Sequence, residues 1–275
     1  MPFLIIGSSL VSLFVIISII YLILLYPSKN KKEETLRFAS YRYAHRGLHG
    51  EGAPENSLAA FARAVERGCG IELDVRLSSD MELVVFHDDT LDRMTEKTGL
   101  VNAYTKDELT GISLAGTGET IPTLDSVLSL VSGKVPLLIE IKEAKGSLEV
   151  TRRVCERLKS YTGAYIIESF NPIALGEVRR LLPGSIVGIL SEHFTKNEQL
   201  RKPLYYFLES MVTNVMSRPD FVAYNHKHAA FLPFRVAKML GYVCFCYTVK
   251  SAEDEKKALE GDFDTVIFEG YIEDK

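Results

Sequence analysis

Four short apolar segments of this chain end in, or carry, residues able to do acid–base or ligand chemistry. His45 and Arg46 close the first, Tyr41–His45. Glu72 and Asp74 sit two apart in Gly70–Val75, His87 and Asp88 close Leu83–His87, and Glu140 and Lys142 close Val135–Ile141. Period-two alternation places Glu72 and Asp74 on one strand face, and Glu140 with Lys142 on another. Charges in such apolar surroundings are costly to bury without a partner or a metal. Three carboxylates, Glu72, Asp74 and Glu140, offer the hard oxygen ligands that suit Ca²⁺ or Mg²⁺, whereas no Cys/His cluster of the structural-zinc type is present. Two imidazoles, His45 and His87, can pass protons at neutral pH, one as base and one as acid. Arg46 and Lys142 suit an anionic substrate. Together these types fit phosphoryl transfer from a phosphodiester, with cations offsetting charge on the non-bridging oxygens. Singly each is weak, since a lone histidine before a loop usually makes a local hydrogen bond and a Glu-x-Asp pair is usually surface charge. The joint placement on four strand ends carries the reading.

Such residues need a frame that brings strand ends together. Further strands are expected at Ala164–Ser169, Ile186–Leu190, Asp220–Tyr224, Tyr242–Val249 and Thr265–Phe268. Helices are expected at Ser57–Arg67, Leu124–Val131, Leu148–Ser160, Pro172–Leu182, Phe231–Leu240 and Ala252–Glu260. The first helix has Asn56 as a plausible cap, with Leu58, Phe61, Ala62 and Val65 on one face. Strands interleaved with helices predict parallel β/α units, and a TIM (β/α)8 barrel is the common closed form of that length. In a barrel, polar residues at the C-terminal strand ends mark the catalytic mouth. Nine strand segments compete for eight positions, and the link from Val75 to Leu83 is too short for a usual crossover helix. Either that link crosses as an extended segment or one strand is peripheral; an open doubly wound sheet is the alternative architecture.

Composition bounds the rest. The chain has 275 residues, a net charge of −4, 14 Phe, 13 Tyr, 10 Pro and 4 Cys, which excludes collagen-like, disulfide-framework and wholly disordered classes. The negative balance gives no support to nucleic-acid binding. Phe3 through Tyr26 carries no formal charge, and at 1.5 Å per residue would make a helix of roughly 36 Å, enough for a bilayer core of about 30 Å. The run is too long for a signal peptide, has no basic residue before it and no small-residue cleavage site after it. The expectation is therefore a single-pass transmembrane anchor over residues 1–27, a juxtamembrane tether over 28–40 and one barrel domain over 41–275. Lys29, Lys31, Lys32, Arg37 and Arg42 follow the run and place the barrel on the cytoplasmic side of the membrane. Cys69, Cys155, Cys244 and Cys246 show no disulfide framework, and the strand YVCFCYTV absorbs the last two.

With those residues in view, the chain resembles the glycerophosphodiester phosphodiesterases. The matching text is HRGLHGEGAPENSLAAFARAVERG (His45–Gly68), IELDVRLSSDMELVVFHDDTLDRMT (Ile71–Thr95), IPTLDSVL (Ile121–Leu128), LLIEIK (Leu137–Lys142) and IESFNP (Ile167–Pro172). The resemblance covers about Tyr41 to Val249. It implies a TIM barrel that binds a divalent cation and hydrolyses glycerophosphodiesters to sn-glycerol 3-phosphate and an alcohol. It also implies Glu72, Asp74 and Glu140 as metal ligands, His45 and His87 as the acid/base pair, and Arg46 and Lys142 on the phosphate. Glu55 and Asn56 would line and brace the site, and Tyr247 would keep an aromatic wall; Phe170, at the end of its strand, is either a substrate wall or core packing. Attack by the neighbouring glycerol hydroxyl, through a cyclic phosphate, and direct attack by water are both open.

Departures from the family pattern fall late in the chain. Ser57 stands where a Thr is usual, Tyr247-Thr248-Val249-Lys250 replaces a Trp-Thr-Val-Asn segment, and Phe268-Glu269-Gly270-Tyr271 replaces a Thr-Asp-x-Pro ending. They leave the alcohol open, so a lysophospholipid or another lipid head-group diester, in the manner of a lysophospholipase D, is the alternative substrate. A catalytically inactive lipid-sensing barrel is the alternative class. The expected partners are the substrate and, through the N-terminal helix, a lipid bilayer; the sequence is silent on oligomeric state.

Overall fold

The computed structural model describes residues 2–28 and 30–271, with side chains from Leu10 onward. Nine strands are hydrogen-bonded: β1 (Tyr43–Ala44), β2 (Gly70–Leu77), β3 (Leu83–Val85), β4 (Leu137–Ile141), β5 (Tyr165–Ser169), β6 (Val187–Ser191), β7 (Phe221–Asn225), β8 (Val243–Val249) and β9 (Thr265–Phe268). Parallel pairing runs from β2 through β4 to β9 in order. Strand β1 closes the ring, with Tyr43 paired to Gly70 on one side and to Ile267 on the other. Eight parallel strands thus form a closed barrel. The ninth, β3, is the peripheral one: it folds back antiparallel on β2, Val75 opposite Val85, around a tight turn in which Ser78 N–H donates to Glu82 O at 3.0 Å. The short link is a hairpin, and the crossover is made later by the segment that follows β3.

The strands read as buried runs because both faces are covered. Inward residues Tyr43, Leu138, Ile166, Phe221, Phe245 and Ile267 fill the lower barrel, while Ile71, Leu73, Val75, Leu137 and Ile139 pack outward on the helices. At Gly188 an added Cβ would collide with the Phe221 ring, so β6 yields its interior space to the side chain of β7. The excursion after β3 has a small core of its own, including Val84, Phe86, Leu91, Leu109 and Ile121, which fixes the loop carrying His87.

Helices follow as α1 (Pro2–Leu25), α2 (Lys32–Phe38), α3 (Leu58–Glu66), α4 (Lys106–Thr110), α5 (Leu124–Val131), α6 (Glu149–Leu158), α7 (Pro172–Leu181), α8 (Pro203–Glu209), α9 (Leu232–Met239) and α10 (Ala252–Glu260). The cap of α3 is Ser57, whose side chain accepts from Ala60 N–H at 3.1 Å, and not the expected Asn56, which is drawn into the site described below. Cys155, Cys244 and Cys246 are buried thiols.

The expected transmembrane anchor, and the cytoplasmic placement inferred from it, are corrected here. The apolar run is helical, but among the described residues no helix is long and apolar enough to cross a membrane. The final turns of α1 are committed to the barrel. Leu25 is fully buried, Tyr21 Oη donates to Ser210 O, and Tyr242 Oη donates to Leu25 O at 2.9 Å. Arg218 Nη1 caps the helix end through Ile23 O and Tyr26 O. Lys32–Phe38, in the segment read as a tether, is itself helical.

Tyr242 Oη also accepts from Asn214 Nδ2 at 3.1 Å, so one buried hydroxyl joins the helix end to the barrel. Tyr242→Phe should cost about 1–2 kcal/mol in urea unfolding, the expected loss for stranding buried hydrogen-bond partners; an unchanged midpoint would show that α1 is not held this way.

Candidate active site

A cavity of about 170 Å³ opens at the C-terminal strand ends. His45, Arg46, Glu72, His87, Glu140, Lys142 and Glu168 form its charged side, and Phe170, Leu190, Tyr247 and Ile267 its apolar side. A larger cavity, about 670 Å³, lies at the opposite end between α2 and the starts of β4 to β6. Its lining offers Glu34 but no imidazole among the described residues.

Parallel register builds the acidic floor. Asp74 on β2 pairs with Glu140 on β4, and one oxygen from each of Glu72, Asp74 and Glu140 lies within 4.8 Å of the others. All three are buried. Lys142 Nζ stands 3.1 Å from Asp74 Oδ1 and 2.7 Å from Glu140 Oε1, and Arg46 Nε lies 3.5 Å from Asp74 Oδ2. Asn56 Nδ2 donates to Asp74 Oδ2 at 2.9 Å, and the Arg46 backbone N–H donates to Glu72 Oε2 at 2.8 Å.

That last bond depends on the turn after β1. Arg46 and Asn56 have φ of 55° and 56°, a left-handed conformation uncommon for arginine. Asn56 N–H closes the turn on Arg46 O at 2.9 Å. Between them Gly47 has φ +80°, and a Cβ there would meet Ala60 Cβ at 2.9 Å, so the close approach of α3 admits only glycine.

Crowding sets the protonation of the acids. Burial, joined by repulsion from Asp74 and Glu140, drives Glu72 well above the usual carboxylate range. Glu140 is pushed up to about 7, burial outweighing the pull of Lys142. Asp74 goes the other way: burial opposes ionisation, but Lys142, His87, Arg46 and the Asn56 hydrogen bond hold it far below its ordinary value. Oxygen-only donors in this arrangement fit a divalent cation. Buried Asp74 Oδ1 accepts no hydrogen bond and is ion-paired with Lys142.

Each histidine is anchored through Nδ1, which leaves Nε2 outside that contact. His45 Nδ1 lies 2.8 Å from Glu269 Oε2, and Lys250 Nζ donates to the other oxygen of Glu269 at 2.9 Å. The two late departures from the family pattern, Lys250 and Glu269, therefore meet behind His45. His87 Nδ1 lies 2.6 Å from Asp88 Oδ1. Arg93 joins Asp88 Oδ2 to Glu55, and Glu55 accepts from Arg46 Nη1 at 2.7 Å. Burial, with Lys142 and Arg46, outweighs Asp74 and Asp88 and lowers the pKa of His87, keeping it neutral at pH 7.

The structure brings the expected residues to one place. His45, Arg46, Glu72, His87, Glu140, Lys142, Phe170 and Tyr247 line the cavity. Asp74 touches both cations from below, while Glu55 and Asn56 stand behind Arg46 and Asp74. Phe170 and Tyr247 meet edge to face at 6.2 Å, and Tyr247 Oη donates to Ser191 O at 3.0 Å. Sequence reasoning missed Glu168, Glu269 and Arg93 as parts of the site. Glu168 had a signal, sitting two residues before Phe170 and so on the same strand face. His193 stacks on Phe231 at 3.8 Å and His228 lies 3.8 Å from Glu192, both outside the cavity lining.

Residues 45–270 match the family model described as the glycerophosphoryl diester phosphodiesterase family. The chain belongs to that family. A glycerophosphodiester phosphodiesterase from Caldanaerobacter subterraneus is 38% identical over 159 residues, 54% of this chain and 65% of the relative. One from Bacillus altitudinis is 36% identical over 162 residues, again 54% and 65%. The match thus spans just under two thirds of the length of these relatives. Among solved structures, an Oleispira antarctica phosphodiesterase in complex with the product sn-glycerol-3-phosphate is similar at a TM-score of 0.69 and 27% identity, covering 83% of this chain and 92% of that one. A Thermotoga maritima glycerophosphodiester phosphodiesterase gives 0.64 and 29%, covering 83% and 93%. Fold and family agree.

Because Glu140 is pushed up to about 7 and burial drives Glu72 in the same direction, a cation entering this family member's site must displace protons. Calorimetry should show proton release on Ca²⁺ or Mg²⁺ binding, and affinity that falls as pH drops from 8 to 6. Glu72→Gln should abolish the cation-induced rise in Tm; a rise that persists in that variant would place the ion elsewhere.

Proposed function

We propose that this chain hydrolyses glycerophosphodiesters, releasing sn-glycerol 3-phosphate and an alcohol, with the help of one divalent cation. The observation that carries the reading is the convergence, on one cavity, of three carboxylates within 4.8 Å, two cations and two imidazoles each fixed by a carboxylate. The names of the similar proteins and the product held by the Oleispira neighbour support it. Glu72, Asp74 and Glu140 would hold the cation, whose charge opposes that of the phosphoryl oxygens. Either Ca²⁺ or Mg²⁺ meets the donor chemistry.

Arg46 and Lys142 draw the phosphodiester into the cavity and face the charge that grows on its non-bridging oxygens. His87, neutral at pH 7, accepts the proton of the attacking hydroxyl at Nε2. His45, oriented by Glu269, donates a proton to the departing alcohol oxygen. The attacking hydroxyl is that of the glycerol carbon beside the ester, or water. In the first case the new P–O bond closes a cyclic phosphate as the bond to the alcohol breaks, and water then opens the ring. Phe170, more than a third exposed, stands at the rim where the alcohol leaves. The small cavity makes short head-group diesters the first substrates to test.

The assay is release of sn-glycerol 3-phosphate from glycerophosphocholine and glycerophosphoethanolamine, with Ca²⁺ or Mg²⁺ and with chelator. Chelation and His87→Ala should each lower kcat by about 100-fold or more while the fold is retained. Glu269→Gln, which loosens His45 without removing it, should lower kcat by about tenfold with little change in KM. Full activity in His87→Ala would remove its assigned role.

A further inference from the structure

We infer that Glu168 is a substrate-binding residue whose carboxylate accepts the hydroxyls of the glycerol moiety; the inference rests on the reading of the site as a glycerophosphodiester hydrolase. Glu168 is the next residue in the inward row that starts with Asp74 and Glu140, paired across β4 and β5. It is fully buried, and neither side-chain oxygen has a hydrogen-bond partner. The two cations nearby are already engaged, Lys142 with Asp74 and Glu140, Arg46 with Glu55 and Asp74. On the other side β6 presents Gly188, whose space the Phe221 ring fills. Glu168 lines the cavity beside Phe170, Leu190 and Tyr247, where the wall is otherwise apolar.

A buried carboxylate without a partner is among the costliest groups a fold can carry, and such groups are retained where a ligand supplies the missing bonds. A second cation is the poorer candidate. The acidic group with oxygens mutually within 4.8 Å is Glu72, Asp74 and Glu140, and Glu168 lies outside it, leaving an ion on Glu168 with too few protein ligands. A vicinal diol fits instead. The terminal O–H donates to one free oxygen, the vicinal O–H donates to the other when water is the nucleophile, and the C–H edge matches the Phe170, Leu190 and Tyr247 wall. The cavity of about 170 Å³ is below the usual size for drug-sized ligands and suits a three-carbon polyol next to its phosphate. Since a site built to bond a hydroxyl discriminates strongly against analogues that lack it, Glu168 would select glycerol esters over other phosphodiesters.

The test compares wild type, E168Q and E168L on glycerophosphocholine and on bis(p-nitrophenyl) phosphate, a diester with no hydroxyl. Calorimetric binding of sn-glycerol 3-phosphate and of inorganic phosphate to the cation-loaded proteins provides a second readout. E168Q, which keeps one acceptor oxygen, should lose about tenfold in kcat/KM on glycerophosphocholine and E168L about 100-fold, chiefly through KM, with the hydroxyl-free diester changed by less than about threefold. Affinity for sn-glycerol 3-phosphate should fall in parallel while that for phosphate holds, and E168L should raise Tm by removing a buried carboxyl group that has no hydrogen-bond partner. Equal losses on both diesters, no loss on glycerophosphocholine, or a drop in bound cation would overturn the assignment. Wild type that cleaves the hydroxyl-free diester but not glycerophosphocholine would instead remove the functional reading beneath it.

Discussion

The arrangement depends on holding several carboxylates together in a space that water hardly reaches. Glu72, Asp74, Glu140 and Glu168 all face inward at the top of three adjacent strands, and like charges at such separations repel strongly in a medium of low polarity. Two cations are sited to make this tolerable. Lys142 spans Asp74 and Glu140, and Arg46 reaches Asp74 while its own backbone amide serves Glu72. The compensation is incomplete: Asp74 stays ionised, and its neighbours take up protons or go unpartnered. An acidic pocket left short of positive charge is a pocket prepared to receive it.

The rest of the fold serves this concentration of charge. Parallel register sets Asp74 level with Glu140, and barrel closure seats β1 between β2 and β9, so that His45 faces the acids it is far from in sequence. The left-handed turn at Arg46 and the tight packing of Gly47 on α3 convert a sequence motif into a directed amide. Local strain of this sort is kept where the surroundings over-determine it.

Much of this was legible in the sequence because the barrel writes its interior in period two. Glu72 with Asp74, and Glu140 with Lys142, declare a shared face by spacing alone, and the apolar segments fall close to the observed strands. Contacts made by closure were not legible. Glu269 and Lys250 looked like departures from a pattern, and only the pairing of β9 with both β1 and β8 shows that they converge on His45. Asn56 looked like a helix cap because its neighbour Ser57 has the same chemistry, and the choice between them was made by Asp74, a residue of another strand. The apolar N-terminal run misled for a similar reason. Hydropathy reports what a segment avoids, and says nothing of the hydroxyl and guanidinium that Tyr242 and Arg218 bring to its last turn.

Arg93 lies well away from the strands, half exposed on the excursion that follows β3, yet it grips Asp88 and Glu55 at once. Through Asp88 it touches the support of His87, and through Glu55 that of Arg46. The spacing between His87 and Arg46 is thus tied to a rim strap built from the most variable kind of structure, a surface loop. Drift in that loop could retune the pair without disturbing any residue of the barrel, giving this scaffold a means of adjusting its chemistry from the outside.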